Sequence, residues 1–487
     1  MVEQNHRSTL FNFVIIKGGV ALQSTQPKHI YPALGALALM TFIGILNETS
    51  MNVTYPELAN LFHVSLDVVQ WITTGYLLMV TVTMGTTAYL LRQFTARRLH
   101  LLSVTAFIVG DVLSALAINF PMLLIGRLIQ SVATGLATPI LFHLIFTEIP
   151  REKLGAMTGF AGMVISFAPA LGPTYGGFIS ETFSWRMIFW LLLPLALISL
   201  VVGQLYIRNR PFGNDKPFSY GSLIALALAL FAVVYGCSTI GKGGFGPAFW
   251  ILLVVAVVCF GLFIYVNNHG QSQLFDLTVF KVKPLRLSTL TYFSLQFINI
   301  GISLVIPLYA QYVLHTSATV AGLVLLPGSV LGAFLAPLAG RLADEQGFAK
   351  PVTFGGTLLL VGTACFAVFQ RQLTAWWLMI FFLVLRAGFN FAFGNTISNA
   401  SILVDQRNSS DVNSIFNMVQ QFAGSLGTGL LASVIALAQQ RGTGSLAQKT
   451  FVGGRVDYLL LTVLAVVVLV AIVVNYRWQK RLGINKN

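Results

Sequence analysis

Residues 248–267 read AFWILLVVAVVCFGLFIYVN, a run without a charged side chain. As a helix rising 1.5 Å per residue, a run of this length spans about 30 Å, the thickness of the hydrocarbon core of a bilayer. Comparable runs recur along the 487-residue chain, of which 56% is hydrophobic and only 9% charged. An average soluble domain carries roughly 25% charged residues, so this chain cannot cover a soluble surface. Because the runs lack the alternation of barrel strands, we predict an all-α integral membrane protein surrounded by the lipid bilayer.

Apolar runs of this kind predict about 14 transmembrane helices. They cover approximately residues 31–54, 68–90, 99–118, 121–145, 156–178, 186–207, 218–238, 248–267, 287–311, 318–340, 352–369, 374–400, 413–437 and 457–476. When the loops are numbered alternately, the side that holds both termini carries most of the Lys and Arg residues. The basic residues of the opposite side are Arg186, Lys242, Arg371, Arg441, Lys449 and Arg455. Since cytoplasmic loops are enriched in basic residues, we predict a multi-pass protein of the cytoplasmic (inner) cell membrane with both termini in the cytoplasm.

Ionisable side chains inside the predicted spans are the first candidates for function. They are Glu48, Asp111, Arg127 and Arg386. An ionisable residue at membrane depth is costly and usually faces a partner or a cavity. Counted along their helices, Asp111 lies about 18 Å from the cytoplasmic start of its span and Arg127 about 9 Å from the outer start of its own. Glu48 lies in the outer half of its span.

These depths place Glu48, Asp111 and Arg127 in one broad layer, and we predict that they carry proton coupling. A carboxylate beside an arginine can take up and release a proton as its surroundings change. A static buried ion pair is the alternative, as is a position of Glu48 at the level of the lipid headgroups.

Aromatic and amide side chains at membrane depth form a second candidate site. Phe293 and Phe297 are four residues apart and therefore share one face of a helix. Such a wall suits bulky amphipathic or cationic compounds through stacking and cation–π contact, whereas packing in the core or against lipid is the alternative for each residue. The predicted substrate-binding residues are Asn47, Glu48, Phe293, Phe297, Asn299, Tyr309, Arg386, Phe389, Asn390 and Phe393.

An internal echo relates the two halves of the chain. GRLADEQGFAK at 340–350 ends the tenth predicted span, and AYLLRQFTARR at 88–98 ends the second. Each segment would end the second helix of a six-helix repeat if the seventh and eighth spans were an insertion. Two related bundles with a site between them are the general plan of transporters.

Several short motifs then follow one another in a fixed order. They are Leu46-Asn47-Glu48-Thr49 with Asn52, Val53 and Pro56; Gly126-Arg127-Leu-Ile-Gln130; Gly159 with Gly172-Pro173-Thr-Tyr-Gly176-Gly177; Trp185-Arg186 with Phe189 and Pro194; Pro337 to Asp344; and Asn413 to Gly427. In their order and spacing, over about residues 31–437, the chain resembles the major facilitator superfamily. More closely, it looks like the 14-helix drug:proton antiporter branch.

The resemblance implies two six-helix bundles of major-facilitator type plus two extra helices. The predicted parts are a cytoplasmic tail at 1–30, a bundle at 31–207, two inserted helices with their loops at 208–286, a second bundle at 287–476 and a cytoplasmic tail at 477–487. The implied function is proton-coupled efflux, an antiport of drugs or other amphipathic small molecules that gives antibiotic resistance. An exporter of one defined metabolite is an alternative, and a non-transporting membrane sensor or scaffold is another.

The resemblance also assigns roles to two sets of residues. Its antiporter motif, which would seal the cavity against ion leak, comprises Gly159, Gly172, Pro173, Gly176 and Gly177. Its cytoplasmic gating residues are Arg97, Arg98, Gly340, Asp344 and Gly347.

The chain departs from the family pattern in three places. Arg92 stands where an acid is typical, and Ser131 and Ala133 replace glycines. Asn47 occupies the first-span carboxylate position, with Glu48 beside it. One residue is about 100° around a helix, so Glu48 is predicted to face another surface.

Motifs of the common enzyme classes are missing from this sequence. It has no HExxH, GxxxxGK[ST] or GxSxG, so we expect no enzyme, no metal site and no cofactor. The basic residues lie in short loops that set orientation, so nucleic acid is not expected as a partner. The expected partners are a small-molecule substrate and protons, and the sequence does not define an oligomeric state.

Overall fold

The computed structural model describes residues 30–208, 218–270, 273–404, 409–481 and 483. Its helices are α1 (Ile30–Ser50), α2 (Tyr55–Phe62), α3 (Leu66–Val69), α4 (Trp71–Gln93), α5 (Ala96–Ala115), α6 (Phe120–Glu148), α7 (Arg151–Thr182), α8 (Met187–Trp190), α9 (Leu193–Tyr206), α10 (Tyr220–Gly243), α11 (Pro247–His269), α12 (Lys283–Tyr312), α13 (Ala318–Leu323), α14 (Leu326–Gln346), α15 (Ala349–Val368), α16 (Ala375–Ile402), α17 (Ser409–Arg441) and α18 (Leu446–Arg481). Short 3₁₀ helices lie at Met51–Val53, Leu277–Lys281 and Gln370–Gln372. The predicted N-terminal tail, apart from Ile30, lies outside the described residues.

The prediction of an all-α membrane protein is confirmed. Within the described ranges, 13 helices are long and apolar enough to cross a membrane. The predicted fifth span, 156–178, corresponds to α7, which is 32 residues long but is not among those 13. The helix packs against α1, α13 and α14. It therefore has the length and the helix contacts expected of a member of the first bundle.

The two halves of the chain repeat one pattern of helix contacts. In the first half, α1 packs against α6, α7 and α9, α6 against α4 and α5, and α5 against α9. In the second half, α12 packs in the same way against α16, α17 and α18, α16 against α14 and α15, and α15 against α18. The predicted pair of six-helix bundles is thus confirmed, with α1–α9 as the first half and α12–α18 as the second half.

The inserted helices α10 and α11 lie at the periphery. α10 packs against α11, α17 and α4, whereas the main contact of α11 is with α10. Only 11% of the apolar window of α11 is buried, which is the lowest share among the candidate spans of the described residues. The exact residues at which the bundles begin and end stay a prediction.

Glycines bring the third and fourth helices of each half together. A Cβ on Gly110 of α5 would lie 2.6 Å from the carbonyl oxygen of Gly126 on α6. In the second half, a Cβ on Gly355 of α15 would lie 2.6 Å from the carbonyl oxygen of Gly388 on α16. A Cβ on Gly388 would likewise lie 2.6 Å from the carbonyl oxygen of Gly355. Small residues let membrane helices approach this closely. Both crossings therefore require glycine.

The halves meet mainly at one end of the molecule. We call the end that holds Ile30 and Arg481 the termini end, and the end that holds the 3₁₀ helix Met51–Val53 the far end. Every hydrogen bond between the halves, among the described residues, involves far-end segments. They join Gln70 to Ser433, Thr74 to Thr428 and Ser425, Gln311 to Val53, Thr174 to Gly322, Glu181 to Thr319, and Asp67 to Gln440.

The glycine crossing predicts a selective effect on stability. Gly110→Ala places a methyl group against backbone that cannot move away, and overpacking of this kind typically costs about 1–3 kcal/mol. We expect a lower melting temperature in detergent, measured by intrinsic fluorescence. The matched control is Gly394→Ala on α16, whose Cβ would have nothing within 4 Å. Equal melting temperatures of the two variants would contradict this reading.

Candidate functional site

A cluster of buried polar side chains lies between the helices of the first half. α1 contributes Asn47 and Glu48, α5 contributes Asp111, and α6 contributes Arg127 and Gln130. All except Glu48 are fully buried, and Glu48 is 4% exposed. The structure thus brings together the three residues that the sequence assigned to proton coupling.

Two amides join Asp111 to Arg127. Asn47 donates from Nδ2 to Asp111 Oδ1 at 3.0 Å, and its Oδ1 accepts from Arg127 Nη1 at 3.0 Å. Gln130 does the same from its own helix, because Arg127 Nη1 donates to Gln130 Oε1 at 2.5 Å and Gln130 Nε2 donates to Asp111 Oδ1. The acid and the base are therefore linked through neutral groups that can both donate and accept.

Arg127 has further contacts that fix its position. Its Nε donates to the backbone oxygen of Ile72 at 3.2 Å, and its guanidinium lies 4.3 Å from the ring centre of Tyr76. Arg127 Nη2 and Asp111 Oδ2 are both buried without a hydrogen-bond partner among the described residues. One polar atom of each charged group is thus left for a proton, a rearrangement or a ligand.

Glu48 lies near the same arginine. Arg127 interacts electrostatically with both Glu48 and Asp111. Asn47, which occupies the family's carboxylate position, lies between Asp111 and Arg127. Glu48 is the next residue around α1 and so points in another direction from the helix, as the sequence predicted. Glu48 lies four residues after Gly44, on the helix face that meets α6 at Thr134.

Helix contacts one turn away hold this arrangement in place. Tyr76 of α4 donates its hydroxyl to the backbone oxygen of Gly44 at 3.2 Å or shares it with Thr134 at 2.6 Å. Gly44 has no room for a side chain, because a Cβ would meet Thr134. α1, α4 and α6 therefore approach at a point where only small and polar groups fit.

The second half has its own buried polar group near the matching helix crossing, because Arg386 lies two residues before Gly388. Arg386 of α16 is 6% exposed, and its Nη1 donates to Asn299 Oδ1 of α12. Asn299 in turn donates from Nδ2 to Gln296 Oε1 at 3.4 Å. The guanidinium lies 5.2 Å from the ring centre of Phe389 and 6.0 Å from that of Phe382.

The predicted aromatic residues fall into two groups around this arginine. Phe389 stacks on Phe393 at 4.6 Å, and Phe393 stacks on Tyr292 at 4.4 Å. Phe293 lies 6.2 Å from Phe297 and, across to α17, 6.2 Å from Phe422. One group thus joins α12 to α16 and the other joins α12 to α17. We call the two groups together the aromatic surface, and its role in binding stays a prediction.

Two of the predicted binding residues lie in structural contacts. Asn390 donates to the backbone oxygen of Arg386 at 2.8 Å and fills the space beside Gly332 of α14. Tyr309 lies towards the far end, where its hydroxyl donates to the backbone oxygen of Gln370 at 3.2 Å and its ring meets Tyr458 at 5.8 Å. Neither contact connects the residue to the aromatic surface.

The glycines of the predicted antiporter motif touch two neighbours. A Cβ on Gly172 would meet Thr49 of α1, and one on Gly176 would meet the backbone of Ser50. On the other face of α7, Gly177 lies against the backbone of Ala318 on α13, and Pro173 lies against Gly322. The motif therefore closes the far end between the two halves, while Gly159 lies further along α7 towards the termini end.

The predicted gating residues do not meet one another in this conformation. Arg97 Nε donates to Gln204 Oε1 of α9 at 3.2 Å, and Arg98 is exposed. Asp344 is also exposed, and a Cβ on Gly340 would have nothing within 4 Å. Gly347 ends α14 with φ of 79°, a backbone conformation that favours glycine.

Sequence reasoning missed three members of the buried polar set. Gln130 was visible as a motif residue three positions after Arg127, on the same helix face. Tyr76 carried no signal, because an isolated tyrosine in an apolar run is common. Asp457 of α18 is the first residue of the predicted last span and was not counted among the ionisable residues of the spans. It is fully buried, and neither carboxylate oxygen has a hydrogen-bond partner among the described residues.

Comparison with known proteins assigns this chain to one family. The family model described as Major Facilitator Superfamily matches residues 37–428. Lincomycin resistance protein LmrB of Listeria monocytogenes is 32% identical over 84% of this chain and 87% of its own. LmrB of Bacillus subtilis is 32% identical over 86% of this chain and 88% of its own. The multidrug resistance protein B homolog of Mycobacterium tuberculosis is 29% identical over 72% of this chain and 62% of its own.

Solved structures share the fold at low sequence identity. A POT family transporter in complex with 5-aminolevulinic acid has a TM-score of 0.65 at 15% identity, covering 90% of this chain and 95% of its own. The xylose transporter XylE from E. coli has a TM-score of 0.59 at 16% identity, covering 90% and 97%. These similarities concern the fold alone.

The bridging role of Asn47 predicts a stability effect. Asn47→Leu removes the hydrogen bonds to Asp111 and Arg127, whereas the bonds of both groups to Gln130 remain. A hydrogen bond to a charged group contributes about 1.5–3 kcal/mol. We expect a clear fall in the melting temperature in detergent. Asn60→Leu on the exposed side of α2 is the control and should melt like the parent protein. A melting temperature of Asn47→Leu equal to that of the control would mean that the amide bridge contributes nothing.

The glycine contact between α7 and α13 predicts a conformational effect. Gly322→Val forces the two helices apart, so the far end should open. Thr428→Cys, introduced with Cys237, Cys259 and Cys365 changed to Ser, reports on this, because Thr428 is buried 3.0 Å from Thr74 in the contact between the halves. We expect faster reaction with a water-soluble maleimide in the Gly322→Val background. An unchanged rate in a folded protein would refute the role of this contact in closure.

Proposed function

Because this chain belongs to the major facilitator superfamily, we propose that it exports drugs or other amphipathic small molecules in exchange for protons. The observation that carries the proposal is the buried cluster in which Glu48, Asp111 and Arg127 share one water-poor interior. Ionisable groups at membrane depth are costly and mark ion or proton pathways. The relatives that are named lincomycin resistance and multidrug resistance proteins support the drug-export part.

Asp111 is the group that we assign to the proton. Its Oδ1 already accepts hydrogen bonds from Asn47 and Gln130, so Oδ2 is the oxygen at which a proton can be held. When the proton leaves, the carboxylate gains a full charge in a site of low polarity. Arg127 Nη2, which has no partner in the described structure, is then available to approach Oδ2.

Glu48 is the second carboxylate of the proposed cycle. It is slightly exposed, unlike Asp111, and interacts electrostatically with Arg127. Two acids that share one arginine cannot both be charged without leaving one charge uncompensated. A change in the state of one acid therefore alters the charge balance of the other, which is the property that coupling requires.

The conformation fits one step of alternating access. The far end is closed by the contacts of α7 with α13 and of α4 with α17, whereas the gating residues at the termini end lie apart. With both termini in the cytoplasm, as the distribution of basic residues predicts, this is an inward-facing state of an inner-membrane exporter. We propose that Arg97, Arg98, Gly340, Asp344 and Gly347 come together when that end closes.

Proton coupling is tested in proteoliposomes with an imposed pH gradient. Asp111→Asn keeps the shape of the side chain but cannot change charge, so gradient-driven export of a lipophilic dye should fall at least tenfold. Glu48→Gln should lose lipophilic cations preferentially, because it removes a carboxylate that a cation can approach. Glu57→Gln, on exposed α2 outside the spans, should transport like the parent protein. Full gradient-driven transport by both amide variants would place the proton site elsewhere.

A further inference from the structure

Arg386 has no acidic counter-ion among the described side chains, although it is almost as buried as Arg127. Among the described side chains of the second half, Asp344 and Glu345 are exposed at the termini end of α14. Asp457 is buried on α18, but both of its carboxylate oxygens are without a hydrogen-bond partner, so it does not bind Arg386. The contacts of Arg386 are an amide and two aromatic rings.

One edge of the Arg386 guanidinium is free. The hydrogen bond to Asn299 uses Nη1, whereas Nε is buried without a partner among the described residues. Nε and Nη2 lie on the same edge of the planar group, and two parallel N–H donors on such an edge match the two oxygens of a carboxylate, sulfonate or phosphate. The unpaired atoms therefore have the geometry of an anion-binding fork.

The polar chain from Arg386 leads towards the contact between the halves. Asn299 and Gln296 carry it along α12. The neighbouring Ile300 meets the first half, because Ile300 and Leu77 of α4 both lie within 3.5 Å of the position that a Cβ on Gly424 would take. Arg386 is thus joined by side-chain hydrogen bonds to the part of α12 that lies near the first half.

An uncompensated guanidinium in such a place requires an explanation. Removing a charge from water costs several kcal/mol unless a partner offsets the loss, and neutral amides or aromatic faces offset only part of it. Arg127 has two carboxylates, whereas Arg386 has none within the part of the chain that the structure describes. The missing negative charge can be brought by a ligand that enters from the space between the halves.

We propose that Arg386 is the anion-binding residue of the substrate site and that the protein takes aromatic amphipaths bearing a carboxylate, sulfonate or phosphate. The anionic group binds the Nε and Nη2 edge of Arg386, and the rings of the ligand pack on the aromatic surface of Phe389, Phe393 and Phe293. The binding of such an anion does not depend on the proposed export function. Only the further statement that the bound ligand is transported rests on it.

The test compares two fluorescent ligands that share one ring system. 8-Anilinonaphthalene-1-sulfonate carries a sulfonate, and N-phenyl-1-naphthylamine is its neutral counterpart. Binding is titrated on the purified full-length protein in nanodiscs, with empty nanodiscs subtracted. In Arg386→Gln we expect the Kd of the sulfonate to rise at least tenfold, whereas the Kd of the neutral amine stays within twofold. Arg371→Gln, an exposed arginine of the far-end loop, should leave both unchanged.

Further variants keep the outcome decisive. Arg386→Lys retains the charge but not the two-donor edge, so the sulfonate should lose about three- to tenfold in affinity and the amine nothing. If Arg386→Gln does not fold, as judged by its melting curve, the lysine variant decides. An unchanged Kd for the sulfonate, or an equal loss for both ligands in a folded variant, would overturn the proposal.

Transport measurements with the same two ligands show whether a failed test counts against the anion site or against the proposed export function. In proteoliposomes with a pH gradient, the parent protein and Arg386→Gln should both export the neutral amine. Failure of the parent protein to export either ligand would count against proton-coupled efflux. The sulfonate-specific binding loss in Arg386→Gln would still stand as evidence for the anion site.

Discussion

The close approach of α5 and α6 at Gly110 and Gly126 is the constraint on which the polar interior of the first half depends. Because neither residue has a side chain, the two backbones meet, and the residues that follow, Asp111 and Arg127, enter the same enclosed space. Water is excluded there, so each charge needs partners from the protein. Asn47 and Gln130 supply these partners through hydrogen bonds to both Asp111 and Arg127.

The second half keeps the scaffold but not the chemistry. Gly355 and Gly388 repeat the helix crossing almost atom for atom, yet no carboxylate accompanies the arginine beside it. The repeated contacts show that the two bundles share one way of packing helices. The polar residues inserted into that packing differ, so a symmetrical architecture carries two unlike sites. One half holds a balanced set of charges, and the other leaves a cation whose partner is not part of the described fold.

The sequence predicted the helices well because apolar runs of about 20 residues have few alternative structures in a bilayer. It also placed Glu48, Asp111 and Arg127 in one layer, since depth follows from counting residues. Contacts across helices were harder, because they depend on rotation and on side-chain size. The bridge through Asn47, the packing of Asn390 beside Gly332 and the burial of Asp457 follow from how helices face one another, which hydropathy does not record.

The far-end contact between the halves is made largely of hydroxyls, amides and backbone carbonyls, and water can satisfy such groups equally well. A hydrogen bond of this kind contributes only about 0.5–1.5 kcal/mol net. Opening this end therefore exchanges one set of modest interactions for another, and the closed and open conformations should be close in free energy. A balance of this kind shifts its populations steeply in response to a bound ligand that prefers one state by a few kcal/mol. The modest strength of the contacts at the far end is thus what lets a small difference in binding set the direction of a large rearrangement.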